Sequence, residues 1–256
     1  MNDYSIHIKF LLFAIFCFGT GAEILAANGD LDLTFDGDGI VITDNNAASF
    51  ENIVDLAVQP DGKIIAVGVS FSSMGSTVVV RYNLDGSLDS TFGNAGKTFI
   101  QSANPRSLAL QSDGKIVIAG SQVVGTTGES PLNDFFVGRL NPNGSLDTTF
   151  NGTGTLVLSV RAGNNDDVAR SVKIQPDGKI VLGGTSTPDF TFISPEYAIV
   201  RLNPTGTLDT SFDGDGKVFT RFPGNHNNVL FGALAIQTDG KIVATGSGYF
   251  LPGGNL

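Results

Sequence analysis

One phrase, Gln-x-Asp-Gly-Lys followed by an apolar run, occurs four times, at residues 59–63, 111–115, 175–179 and 237–241, spaced by 52, 64 and 62 residues. A second phrase keeps step with it: Leu31-Asp32 to Phe35, Leu88-Asp89 to Phe92, Leu146-Asp147 to Phe150 and Leu208-Asp209 to Phe212. Two phrases locked in phase describe one supersecondary unit used four times, so the repeat dictates the fold. It also sorts the chemistry, because residues present in every copy belong to the architecture before they belong to an active site.

The unit reads as four short strands. In the second copy, Lys97 to Ile100 is a strand after Gly96, and Ser107 to Leu110 alternates enough to be another. Asp113-Gly114 then supplies a tight hairpin turn. Ile116 to Ala119 is apolar throughout, as expected for a strand covered on both faces. Phe135 to Leu140 follows, and Asn141-Pro142-Asn143-Gly144 turns the chain into the next unit. Strand sets are thereby expected at 40–82, 97–140, 155–202 and 217–246, the fourth without a clear last strand.

Four antiparallel strands in about 60 residues, repeated, is the grammar of a β-propeller blade. Gly or Pro interrupts every window that could hold a helix, so a helical solenoid is excluded, and a β-helix normally has shorter rungs. The expected fold is all-β: a partial or open β-propeller of four-stranded blades, the last incomplete, with units at 28–82, 83–140, 141–202 and 203–256. An open edge invites self-pairing.

Residues 1–27 differ from the rest. Lys9 precedes the apolar run Phe10 to Phe18, and small residues follow at Gly19, Gly21, Ala22, Ala26 and Ala27. This is the layout of a secretory signal peptide, too short for a membrane span, with cleavage expected after Ala22 or Ala27. Removal of residues 1–27 takes away Cys17, the single cysteine, and with it any disulfide or thiolate metal site. The remaining 14 basic and 23 acidic residues give a net charge of −9. Such a chain repels phosphate backbones and anionic lipid, which excludes nucleic acid as the expected partner.

The paired sequences Asp177 to Gly184 and Ile199 to Phe212, matched equally well in the second unit, resemble the delta-60 repeat family of bacterial secreted proteins. The resemblance covers roughly residues 28–246 and implies an exported or surface β-propeller repeat without a known activity.

Candidate sites divide into repeated and unrepeated residues. Asp36, Asp38, Asp213 and Asp215 could offer carboxylates to calcium. The same turn is Gly93-Asn94-Ala95-Gly96 and Asn151-Gly152-Thr153-Gly154 in the other copies, so a plain glycine-rich turn is the favoured reading and no cofactor is expected. Lys63, Lys115, Lys179 and Lys241 are expected to be solvated beside their turns, and Arg81, Arg139 and Arg201 to pair with the recurrent aspartates. His226 is the one histidine after residue 27, so a His-rich metal site is excluded.

The unrepeated residues gather on the loops opposite the Asp-Gly-Lys turns. There the sequence places Asn45, Glu51, Glu129, Asp166, Phe190, Glu196 and His226, a mix of amides, carboxylates and aromatics suited to a polar ligand. The expected function is an exported, non-enzymatic binding module or scaffold, with polysaccharide or a surface protein as partner. The alternatives are a carbohydrate-active enzyme using Glu129 and Glu196, and a structural array that pairs with itself.

Overall fold

The computed structural model describes residues 10–13, 30–43, 51–70, 76–127, 130–163, 165–187, 195–221 and 226–250. It is all-β among these residues, and no helix is long and apolar enough to cross a membrane. Three sheets are complete and antiparallel. The first holds β3 (Glu51–Val58), β4 (Ile64–Ser70), β5 (Ser76–Tyr82) and β6 (Lys97–Gln101). The second holds β7 (Asn104–Leu110), β8 (Ile116–Thr127), β9 (Ser130–Leu140) and β10 (Thr155–Leu158). The third holds β11 (Asp166–Ile174), β12 (Ile180–Thr187), β13 (Glu196–Leu202) and β14 (Lys217–Thr220). A two-stranded sheet stands at each end: β1 (Phe10–Phe13) with β2 (Ile40–Thr43), and β15 (His226–Ile236) with β16 (Ile242–Phe250). The sheets do not close into a ring.

The grouping of strands differs from the sequence expectation by one strand. Lys97 to Ile100 does not open the second sheet; it pairs with β5 as the fourth strand of the first, Val78 opposite Phe99 and Val80 opposite Lys97. The cause is the Leu-Asp-x-x-Phe corner. Asp89 N–H donates to Arg81 O and Arg81 N–H to Gly96 O, so the corner folds the chain back onto the strand it has just left. Phe10 to Phe13, which the sequence assigns to a leader, lies opposite Thr43 to Ile40 as β1.

The apolar run after each Asp-Gly-Lys turn becomes the second strand of its sheet. Every residue of β4 is buried, as are Ile180 to Ser186 of β12. Alternate side chains serve different cores: Ile65 and Val67 pack toward the second sheet with Ile116, Ile118 and Phe136, while Ile64 and Ala66 pack toward Phe35 and Val41. The glycine that ends the run has a steric reason, since a Cβ on Gly184 would stand 2.0 Å from Val168 O. The hairpin itself combines Gly178 N–H to Gln175 O with Gln175 N–H to Lys179 O, and only Gly178 carries a positive φ. That is a type I turn followed by a left-handed glycine, with Pro176 at the position where proline is favoured.

The first strand of each complete sheet has a bulge, and the residue after it reaches into the next sheet. Asp55 Oδ2 accepts Leu108 N–H at 2.8 Å, Ser107 Oγ accepts Val172 N–H at 3.4 Å and Ser171 Oγ accepts Leu234 N–H at 3.2 Å. The bulge bends the strand and re-aims this side chain outward from its own ladder.

The third strands are held by their arginines. Arg139 Nε lies 2.7 Å from Asp147 Oδ2, its guanidinium stands over the Phe150 ring at 4.9 Å, and Nη2 donates to Thr149 Oγ1 at 3.1 Å. Arg81 and Arg201 repeat the pair with Asp89 and Asp209 at 2.7 and 2.6 Å. The lysines depart from expectation, for three of them join these carboxylates: Lys63 to Asp89 at 2.7 Å, Lys115 to Asp147 at 3.5 Å and Lys179 to Asp209 at 3.0 Å. A buried carboxylate draws in every cation within reach. Burial opposes ionisation of Asp147, but the Thr149 hydroxyl and N–H and the Arg139 and Lys115 charges outweigh it and bring its pKa down to about 2. Arg139→Ala leaves Asp147 buried without its main partner, and should cost about 3 kcal/mol in a denaturant titration. Lys115→Ala, removing a half-exposed partner, should cost about 1 kcal/mol or less by the same measurement.

Candidate functional site

Antiparallel order sends the Asp-Gly-Lys hairpins and the Leu-Asp-x-x-Phe corners to one end of each sheet. The second-to-third and fourth-to-first connections emerge at the other end. The repeated end is architecture. Asp36, Gly93, Asn151 and Asp213 all sit there with φ between +50° and +55°. Asp, Asn and Gly interchange at this position because each tolerates the left-handed region. Asp38 Oδ1 and Asp215 Oδ1 accept the N–H groups of Ile40 and Lys217 at 2.8 and 2.9 Å, which gives these carboxylates a turn-closing role. Among the described residues no three His, Cys, Asp or Glu side chains converge on a metal position.

The variable end gathers unrepeated charge where the second and third sheets meet. Asp167, Ser186 and Glu196 lie opposite one another in a single row across β11, β12 and β13. Arg161, on the connection from β10 to β11, pairs with Glu196 and stacks over Phe219 at 4.2 Å. The connection is tied down: Ser159 Oγ and Asn165 Nδ2 both donate to Arg161 O, at 2.7 and 2.9 Å. Asp166 Oδ1 accepts Asn133 Nδ2 at 2.8 Å, and Val160 N–H donates to Asp167 Oδ2 at 3.1 Å.

Asp167 is the outlier of the group. It is fully buried, two residues ahead of the bulge, where the second and fourth units place Ala103 and Val229 in their cores. Its Oδ1 and the Oγ of buried Ser186 have no hydrogen-bond partner among the other described residues. Burial, reinforced by the negative charges of Asp134 and Asp166, pushes the Asp167 pKa up to about 6, with Ser186 and the Val160 N–H only partly offsetting it. Asp134 is raised as well, mainly by burial.

Of the residues singled out in the sequence, Asp166 and Glu196 fall in this corner. Glu51 lies in the corresponding row of the first sheet, its backbone opposite Ser70. His226 lies opposite Phe250 in the last sheet. Asn45, Glu129 and Phe190 lie outside the described residues. Sequence reasoning missed Asp134, Arg161, Asp167 and Ser186 as members. Only Asp167 carried a signal, an acid aligned with alanine and valine in the second and fourth units, with Glu51 beside it in the first.

An acid whose folded pKa exceeds its unfolded value near 3.8 holds its proton more tightly when folded. Its contribution to stability is best below that value, declines as pH rises through about 6, and is constant above. Asp167→Asn should therefore raise stability at pH 7.5, by on the order of 2 kcal/mol, and leave it unchanged near pH 3.5, as read from melting curves across pH.

Segments 59–92, 111–150 and 175–212 match the family model described as a domain of unknown function (DUF5122), β-propeller. No curated protein matches the chain. The matched segments run from each Asp-Gly-Lys hairpin to the phenylalanine of the following corner, so they coincide with the architectural part of the first three sheets. With three four-stranded antiparallel sheets in succession, the chain is a β-propeller repeat protein.

Proposed function

We propose that this chain is an exported, non-catalytic binding module of the delta-60 type, which presents its variable end to a polar extracellular ligand such as a polysaccharide or the surface of another protein. The observation that carries the reading is the Asp167–Ser186–Glu196 row with Arg161 above Phe219. It places a fully buried carboxylate, Asp167, where the second and fourth units hold Ala103 and Val229, and binding residues concentrate on loops held by a rigid scaffold. A guanidinium on an aromatic ring beside carboxylates suits hydroxyl-rich or mixed-charge surfaces. Export rests on the layout of residues 1–27.

Glycan-array and surface-plasmon measurements on the chain should return at least one saturable ligand. Arg161→Ala should weaken that ligand by about tenfold, consistent with loss of a charge-assisted contact. Lys241→Ala, at the repeated end, should leave it unchanged. Product formation from a bound polysaccharide, lost in Glu196→Gln, would establish the enzymatic alternative instead.

A further inference from the structure

In each complete sheet the third-strand arginine ends in the same receptor. Arg81 meets Asp89, the Thr91 hydroxyl and the Phe92 ring; Arg139 meets Asp147, Thr149 and Phe150; Arg201 meets Asp209, Ser211 and Phe212. The N-terminal unit builds the same receptor from Asp32, Thr34 and Phe35 at the same spacing. Thr34 donates its N–H and hydroxyl to Asp32 Oδ1 at 2.9 and 2.6 Å, as Thr91 does to Asp89 at 3.0 and 2.7 Å. Phe35 is buried like Phe92 and Phe150. Asp36 N–H donates to Asp85 O at 2.8 Å, docking this corner on the first sheet just as Gly93 N–H to Asn143 O docks the next one.

This receptor holds no arginine. Phe13 lies opposite Ile40 where Val80, Gly138 and Val200 lie opposite Lys97, Thr155 and Lys217. The residue that follows Phe13 in the sequence is Ala14, where those strands continue with Arg81, Arg139 and Arg201. Among the described residues Asp32 has no cationic partner, and it is half-buried where its three counterparts are buried. A strand of the right position but the wrong chemistry covers β2, and removal of residues 1–27 would leave that edge open.

We propose that the Asp32–Thr34–Phe35 corner together with β2 receives a third-type strand from another polypeptide: an extended segment of apolar residues ending in Arg-Leu or Arg-Tyr. The segment takes the place of β1, pairs antiparallel with β2, and sets its guanidinium between the Asp32 carboxylate, the Thr34 hydroxyl and the Phe35 ring. The occupant's chemistry is written three times in this chain, in Val80-Arg81-Tyr82, Gly138-Arg139-Leu140 and Val200-Arg201-Leu202. Among the described residues a second copy has no spare strand of this kind, since its third-strand arginines, Arg81, Arg139 and Arg201, each hold their own aspartate. The site lies at the repeated end of the sheets, separate from the variable-end ligand.

The probe is a fluorescent peptide spanning residues 195–203, titrated by anisotropy with the full chain and with the chain beginning at Asn28. Saturable binding is expected, tighter in the shorter chain. The Arg201→Ala peptide should bind at least about tenfold more weakly, and Asp32→Asn in the protein should weaken the parent peptide equally and erase the difference between the two peptides. Equal binding of both peptides, undiminished binding by Asp32→Asn, or no binding by either chain would overturn the proposal. So would light scattering that shows the chain pairing with itself and excluding the peptide, which would make a second copy the occupant. Asp32→Asn should leave variable-end ligand binding intact, so failure here is distinguishable from failure of the binding-module reading.

Discussion

The structure depends on one buried carboxylate in each complete sheet. Asp89, Asp147 and Asp209 each tie three elements that share no ladder at that point: the third strand through arginine, the first hairpin through lysine, and their own corner through the following Thr or Ser. Isolated, such a charge would be costly to bury. The two cations and two local donors on its oxygens outweigh that cost and hold the Asp89 and Asp209 carboxyls far below the usual carboxylate range. The recurrent phenylalanine completes the arrangement by offering its ring to the guanidinium from the side that carries no hydrogen bond.

That arrangement explains why the fold was so legible in the sequence. Every member of the corner is a repeated letter, so Leu-Asp-x-x-Phe and Gln-x-Asp-Gly-Lys stand out against loops that vary. The apolar runs foretold covered strands, and β4 and β12 are buried along nearly their whole length. The phase of the sheets was not legible. A short strand such as Lys97 to Ile100 has two neighbours in sequence, and strand patterning alone carries no information on which it will pair with. The decision falls to backbone hydrogen bonds, Asp89 N–H to Arg81 O and Arg81 N–H to Gly96 O, which no side-chain pattern announces.

The candidate site was legible to a smaller degree, for the opposite reason. Asp166 and Glu196 could be placed on variable loops because they break the repeat. Their company could not be foreseen, because Arg161 reaches Glu196 across 35 residues, and Ser186 enters only through its register between Asp167 and Glu196. Asp167 shows where subtraction works best: aligning the four units leaves a fully buried acid in a column that holds Ala103 and Val229 in the second and fourth units and Glu51 in the first. A departure from the repeat inside a core position is a sharper pointer than any number of polar residues in a loop.

The bulge contacts have a bearing on how such chains grow. Asp55, Ser107 and Ser171 each present one oxygen to the backbone N–H of the following unit, and Leu108, Val172 and Leu234 supply it. The donor is main chain and therefore independent of residue type, while the acceptor needs only one small oxygen-bearing side chain. A unit copied into the gene at any internal boundary would find both halves of the joint waiting. Gain or loss of whole blades is then a change the architecture can absorb without compensating substitutions. The same joint that locks neighbouring sheets makes the length of the array free to vary in evolution.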